Sequence, residues 1–354
     1  MRQDKRQKGF SLVELMVGVV VGMLAIYASY RIFENVETNY RATETTNEVQ
    51  MAGLYATFAV SQELSNAGAG VMSNFESLRA CPAMPFPTAG ATSSNLSLYP
   101  LPAAIIPTDD EFLDDLFAFY GTGRFTDLPM SVIAVDPSGV KLSLQAPLGL
   151  MAGSVLVAAT GGCAAFSADG VTVPDSNGVI TVTVGAGQSL AGVVSAGNSL
   201  IDLGNAVRRR FFVDGNETLQ MQVWQVNSSV GNNNWHVTRT IPIASNVVAF
   251  KAQYGVASVP GKAVDTWMAP DATTLDQIVG GTPSVRDIKA VRFGMIVRAA
   301  EPDPTLAGAP NYTETLLGGS VSVPLTVSEG SPPLFGWRYR KYETTVALQN
   351  TIWN

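Results

Sequence analysis

The chain opens with a short polar stretch and then turns apolar at once. From Phe10 to Phe33 it reads FSLVELMVGVVVGMLAIYASYRIF, with Glu14 and Arg31 its only charges. About 20 apolar residues cross a bilayer core, and the run exceeds the 7–15-residue apolar core of a secretory signal, so it predicts a membrane-spanning helix. No proline or glycine falls between Gly22 and Gly53, and Gly68-Ala69-Gly70 supplies a stop. One helix is therefore predicted from about Ser11 to about Asn66, roughly 80 Å long at 1.5 Å per residue. Outside the membrane, Phe33, Val36, Tyr40, Asn47, Met51, Leu54 and Phe58 recur at helical spacings. They predict an apolar stripe, interrupted by Asn47, that lies on a sheet. The stripe is too short, and too poor in flanking charges, for a heptad coiled coil. Gly18 and Gly22 make a GxxxG spacing that admits close helix approach, although a valine-rich stretch produces such spacings by chance.

Between 80 and 130 the periodicity disappears. Cys81-Pro82-Ala83-Met84-Pro85-Phe86-Pro87 and the following Ser/Asn-rich stretch read as loop. The acids Asp109, Asp110, Glu111, Asp114 and Asp115 admit two readings. One is a calcium site, but no D-x-D-x-D-G loop accompanies them. The other is a short helix with Thr108 as N-cap, Glu111 as its capping-box partner, and Phe112, Leu113, Leu116 and Phe117 as the buried face.

From 131 onward residues alternate. SVIAV-DPSG-VKLSL and GVTV-PDSNG-VITVTV read as hairpins, and Arg209–Val213 leads through Asp214-Gly215-Asn216 into Leu219–Val226. Further strands are predicted at His236–Pro242, Val247–Tyr254, Ala290–Val297 and Tyr342–Leu348. No helical repeat alternates with them. The predicted fold class is thus α+β, a long N-terminal helix packed on a largely antiparallel sheet. Two small sheets, or a β-rich insertion around 131–200, are compatible with the same pattern. In outline the chain divides into a leader (1–9), a membrane half-helix (10–33), a second half-helix (34–67) and a β-rich head (68–354) with an irregular region at about 80–200.

Composition narrows the function classes. Of 354 residues only 14% are charged, against the ~25% usual in soluble domains, and the net charge is −7. That sign argues against a dedicated nucleic-acid binder, and Arg208-Arg209-Arg210 reads as solvated or ion-paired. The single histidine, His236, argues against a His-based metal site or a serine-type triad. There is no Walker A, no complete GxGxxG and no GxSxG elbow. Trp235, Trp267 and Trp337 read as sugar-stacking or as core residues alike. The expectation is a non-enzyme without cofactor or metal.

The remaining oddity is Glu14, a carboxylate in a membrane segment, disfavoured by about 2.5 kcal/mol or more near the bilayer centre. The leader carries net +3, which orients it to the cytoplasm and everything after Arg31 outside. Were the chain cut after Gly9, the new α-amino group of Phe10 would lie about one turn from Glu14. The carboxylate could then meet a neighbouring subunit's ammonium at a helix start.

Lys8-Gly9-Phe10-Ser11-Leu12-Val13-Glu14-Leu15 resembles the type III signal of type IV pilins and type II secretion pseudopilins. The resemblance implies cleavage after Gly9 by a prepilin peptidase, N-methylation of Phe10, and an assembly role for Glu14. Major pilins usually carry a proline in or just after the membrane part; none precedes Pro82 here, which points away from a shaft subunit. Asp287–Arg298 and Trp337–Asn350 are similar to the closing strands of the PilW family of minor pilins. That family's last motif usually ends Leu-Arg-Asn, where this chain has Leu348-Gln349-Asn350. These motifs cover under a fifth of the chain. They imply a minor pilin that primes pilus assembly at the inner membrane, with its head in the periplasm, and then sits at or near the tip. Its partners would be other minor pilins, the major pilin and the assembly platform. A minor type II pseudopilin, or a membrane-tethered adhesin, are the other readings. With both outside the membrane, in an oxidising compartment if the host is Gram-negative, Cys81 and Cys163 are expected to form a disulfide, worth about 4.5 kcal/mol in the chain-entropy model, rather than remain as two buried thiols.

Overall fold

Ser11 opens helix α1 (Leu12–Asn66): its backbone is extended and its hydroxyl accepts from the Val13 amide at 3.2 Å, an N-cap. At the other end Ala67 leaves the helical dihedrals and Gly68 takes φ 83°, left-handed geometry that glycine adopts without strain. The computed structural model describes residues 11–71, 87–88, 91–92, 102–123, 128–145, 149–158, 164–226, 235–259, 262–270, 287–303, 306–330 and 333–352.

The face of α1 that meets the sheet is not the predicted stripe. Val49, Gly53, Ala56, Val60, Leu64 and Ala67 are buried, whereas Met51, Leu54 and Phe58 are 63–73% exposed. At 100° per residue, Met51 sits about 200° round the helix from Val49, so the large apolar side chains point away from the head. The physical reason is distance. Small residues let the helix axis come close to the strands, and a Cβ at position 53 would lie 2.1 Å from a ring carbon of Tyr342.

Strands β1 (Pro87–Thr88) and β2 (Ala91–Thr92) pair with each other and are followed by β3 (Ala103–Pro107) and β4 (Asp114–Gly121). The next six are β5 (Met130–Val135), β6 (Lys141–Gln145), β7 (Val155–Ala158), β8 (Ala164–Val171), β9 (Val179–Val184) and β10 (Ser199–Gly204). They close into a barrel of order β10-β5-β6-β9-β8-β7. Then come β11 (Ala206–Val213), β12 (Leu219–Val226), β13 (Trp235–Ala244), β14 (Val247–Val256), β15 (Thr266–Met268) and β16 (Ile288–Arg298). Two hairpins, β17 (Tyr312–Leu316) with β18 (Val321–Leu325) and β19 (Ser328–Gly330) with β20 (Pro333–Gly336), precede β21 (Tyr339–Ala347). A single turn of helix, α2 (Gln349–Ile352), follows.

A five-stranded sheet, β13-β12-β11-β4-β3, and a four-stranded one, β15-β14-β16-β21, form a framework around α1. Pairing within both is antiparallel. A bridge between Leu113 and Phe250 joins them, with the Phe250 amide donating to the Phe112 carbonyl at 2.9 Å. The buried Tyr254 hydroxyl adds a second tie, accepting from the Ile105 amide at 2.6 Å. Leu64, Ile105, Leu116, Phe211, Phe250 and Phe293 fill one common core. Two sheets and a separate β-barrel are therefore present.

The short helix expected over Thr108–Phe117 is absent. Its apolar residues lie in or beside β4, a central strand between β3 and β11 that is buried on both faces, so consecutive apolar residues there reflect two-sided burial. Thr108 and Asp110 instead make a turn, the Thr108 hydroxyl donating to the Leu113 carbonyl and Asp110 accepting from the Phe112 amide. Residues 102–121, expected to be irregular, thus supply two framework strands.

Candidate functional site

The feature that every observation converges on is α1 and its seat. From Leu12 to Glu34 it is long and apolar enough to cross a membrane, and none of it is buried in the head. Glu14 stands in its first turn. Gly9 and Phe10 lie outside the described residues, as do Cys81 and Cys163. Among the described side chains, Val49 is the first along α1 to be buried.

Three polar contacts fix the seated half, and each joins residues distant in sequence. The Tyr342 hydroxyl donates to the Val49 carbonyl at 2.9 Å, its ring resting over Gly53. Glu63, with its side chain only 17% exposed, accepts from the Tyr120 hydroxyl at 2.6 Å and pairs with Arg209 at 3.4 Å. Burial first, and then the Glu63 carboxylate, push the Tyr120 phenol up to about 12, partly opposed by Arg209. At the carboxyl end of α1, the Asn350 amide donates to the Ala67 carbonyl at 3.0 Å and the Asn66 carbonyl at 3.3 Å. Helix carbonyls without intrahelical partners are thereby satisfied from the far end of the chain.

The arginine triplet is structural. The Arg208 guanidinium lies 4.2 Å from the Phe117 ring centroid, and Arg209 faces Glu63. Arg210 pairs with Asp115 at 2.6 Å and lies 4.3 Å from the Phe212 ring. The acidic cluster is likewise absorbed: Asp114 is fully buried, accepting from Lys251 at 2.7 Å and from the Ala252 amide at 2.9 Å. Burial raises its carboxyl above the usual range, while the lysine and the amide pull it back. Among the described residues no group of three or more His, Cys, Asp or Glu could hold a metal. Trp267 and Trp337 lie under Arg292 and Arg298, at 4.4 and 4.8 Å. His236 sits on β13.

Two open cavities flank α1 where it enters the head. One, of about 450 Å³, is lined by Thr45, Thr46, Tyr312, Trp337 and Arg340; the other, of about 380 Å³, by Glu48, Ala52, Ile243, Asn246 and Arg298. What this arrangement can do is hold a long helix rigidly by one half and present the other.

Sequence reasoning missed Gly53, Glu63 and Tyr120. Gly53 had a signal, the one glycine in a run otherwise kept free of it, but its partner Tyr342 is invisible until the sheet forms.

Residues 210–350 match the family model of the type IV pilus-assembly protein W, and residues 4–27 match the prokaryotic N-terminal methylation motif. No curated protein matches the chain significantly. Among solved structures, a type IV-like pilin from Thermus thermophilus matches at 13% identity, over 57% of this chain and 87% of its own. Its TM-score is 0.22, too low to carry an argument. The apolar helix and the methylation motif suggest a single-pass membrane anchor. Placed at the two ends of an apolar helix followed by antiparallel strands, the two family matches support a PilW-family type IV pilin.

Proposed function

We propose that this chain is a minor pilin that primes pilus assembly at the inner membrane and resides at or near the fibre tip. The observation that carries the reading is the bare side of α1. Its membrane half is wholly exposed, and outside the membrane Met51, Leu54, Tyr55 and Phe58 continue an apolar surface directed away from the head. A surface of this kind on one helix is satisfied by other helices, which makes neighbouring minor pilins and the major pilin its natural partners. The family description, pilus assembly, favours a pilus over a secretion pseudopilus.

In this reading the prepilin peptidase cuts after Gly9, Phe10 becomes the methylated amino terminus, and Glu14 neutralises a neighbour's ammonium during assembly. Gly9→Val should leave the chain at full-length mass in the membrane, because a β-branched side chain blocks a site shaped for glycine. Glu14→Val should be cut normally yet fail to co-purify with other pilins. Normal cleavage of the first variant and normal co-purification of the second, read by mass spectrometry of membrane pull-downs, would overturn the assignment. Cys81 and Cys163 are proposed to be bridged; two alkyl additions to unreduced native protein would refute that.

A further inference from the structure

The barrel lies wholly within the stretch that neither family match reaches, since they cover residues 4–27 and 210–350. It has a core of its own, in which Leu144, Leu156, Phe166, Ile180, Val182 and Leu200 are buried together apart from the framework core. The principal contacts of α1 are with β4, β13, β16, β21 and α2, none of them barrel strands.

The barrel leaves and rejoins the framework at one point. The amides of Thr122 and Gly123 both donate to the Leu203 carbonyl, at 2.8 and 3.1 Å, and the Thr122 hydroxyl donates to the Asn205 carbonyl at 3.2 Å. Glycine makes this crossing possible. A Cβ on Gly121 would lie 2.6 Å from the Leu203 oxygen, and one on Gly204, at φ +60°, 2.5 Å from the Gly123 nitrogen. The Gly121 amide in turn donates to the Ala69 carbonyl at 2.9 Å, just past the end of α1. The barrel is therefore rooted at the end of α1 opposite the apolar span.

Its surface is poor in recognition chemistry. Residues 128–204 contain no Arg, Glu, His, Trp or Tyr, one Lys, and one Phe, the buried Phe166. The four aspartates are taken up by its own backbone. Asp136 accepts from the Val140 and Lys141 amides, Asp175 from Asn177 and Val179, Asp169 from Ala186, and Asp202 from Gly204. Without exposed aromatic rings or guanidinium groups, it has little with which to stack a sugar or grip an anion.

We propose that the barrel, residues 128–204, forms a self-contained module grafted onto an otherwise complete pilin framework, and that its bulk at the membrane-distal end of α1 confines the chain to the fibre end. The inference rests on the proposed function. In a fibre that grows from the membrane, every subunit but the first has its distal end against subunits added before it. A subunit whose distal end is occupied by a barrel fits only where nothing precedes it.

The test joins Gly123 directly to Asn205 in the full chain, with Cys81→Ser so that no lone thiol is created. Immunogold labelling of sheared pili should show the intact chain at fibre ends and the deleted chain along the whole shaft. Both forms at the ends only would overturn the barrel's role while leaving the tip reading standing. The intact chain along the shaft would overturn the tip reading and this inference with it. Should the deleted chain fail to accumulate, hydrogen exchange on the intact protein decides independently. The barrel amides should open as one group, at a denaturant concentration different from that which opens the framework sheets; a single shared transition overturns the module.

Discussion

The framework and the barrel are both antiparallel and both have hydrophobic cores, yet they are held together in opposite ways. In the framework the decisive contacts join residues more than a hundred positions apart: Tyr342 to Val49, Asn350 to Ala67, Arg209 to Glu63, Lys251 to Asp114. In the barrel the polar contacts reach less far: Asp136 and Asp175 tie amides no more than five residues on, Asp169 meets Ala186 17 residues away, and Ser189 meets Ser138 51 residues away. The difference teaches where information about the fold resides. A hairpin closed by its own aspartate is written in a dozen consecutive residues, whereas a helix seat is written in pairs that only the finished fold brings together.

The largest effects should separate the two regions. Asp114→Ala removes the carboxylate facing Lys251 and leaves a mostly buried ammonium unpaired, which costs about 3–5 kcal/mol. Phe166→Ala removes the barrel's one aromatic side chain, fully buried, and costs about 3–5 kcal/mol through transfer and cavity terms. Hydrogen exchange on the detergent-solubilised chain should show the first substitution lowering protection in the framework with the barrel unchanged, and the second the reverse. Equal loss in both regions would dissolve the comparison.

The same difference explains what the sequence disclosed. The hairpins at 131–144 and 209–226 were legible because alternation and turn residues lie side by side. So was the long helix, from its apolar run and its lack of proline. The orientation of its second half was not. Met51, Leu54 and Phe58 are the larger apolar set and dominate the periodicity, but the buried set, Val49, Gly53, Ala56 and Val60, is selected for smallness by the approach of Tyr342. β4 was misread for a related reason: burial on both faces erases the period of two on which strand recognition depends. The methylation motif was legible because it lies in one short stretch, whereas Glu63 and Tyr120 were not, standing 57 residues apart.

A smaller effect follows from Tyr120. Its folded pKa is raised from 10.0 to about 12, so between those values the unfolded chain loses a proton that the folded chain keeps. The contribution to stability is fully present below about pH 10 and is lost as pH rises through about 12, at most about 2–3 kcal/mol over the window. Tyr120→Phe should flatten this part of the stability–pH curve. The barrel contains no tyrosine, so its own opening should show no tyrosine-linked fall over the same range. Phenolate absorbance during alkaline unfolding, with exchange resolved by region, measures both. A Tyr120 that titrates near 10 in the folded chain removes the linkage.

The smallest predicted effect concerns Asn350, the residue that closes the family motif. Its amide donates to the last carbonyls of α1, which by geometry have no partner further along the helix. Replacing it with Ala removes the donor and should cost about 1 kcal/mol, as for other helix caps. Asn350→Asp tests the mechanism more sharply. An ionised carboxylate can only accept, and its negative charge would face the negative end of the helix dipole, so Asp should destabilise more than Ala although it is nearly isosteric with Asn. A packing role predicts the opposite order. The loss should appear as faster amide exchange over the last turn of α1, up to Ala67. It should also reach the barrel root, because Gly68 and Ala69 bond the Phe119 carbonyl and the Gly121 amide there. The barrel's own strands should not respond, since nothing in their hydrogen bonding depends on how α1 ends.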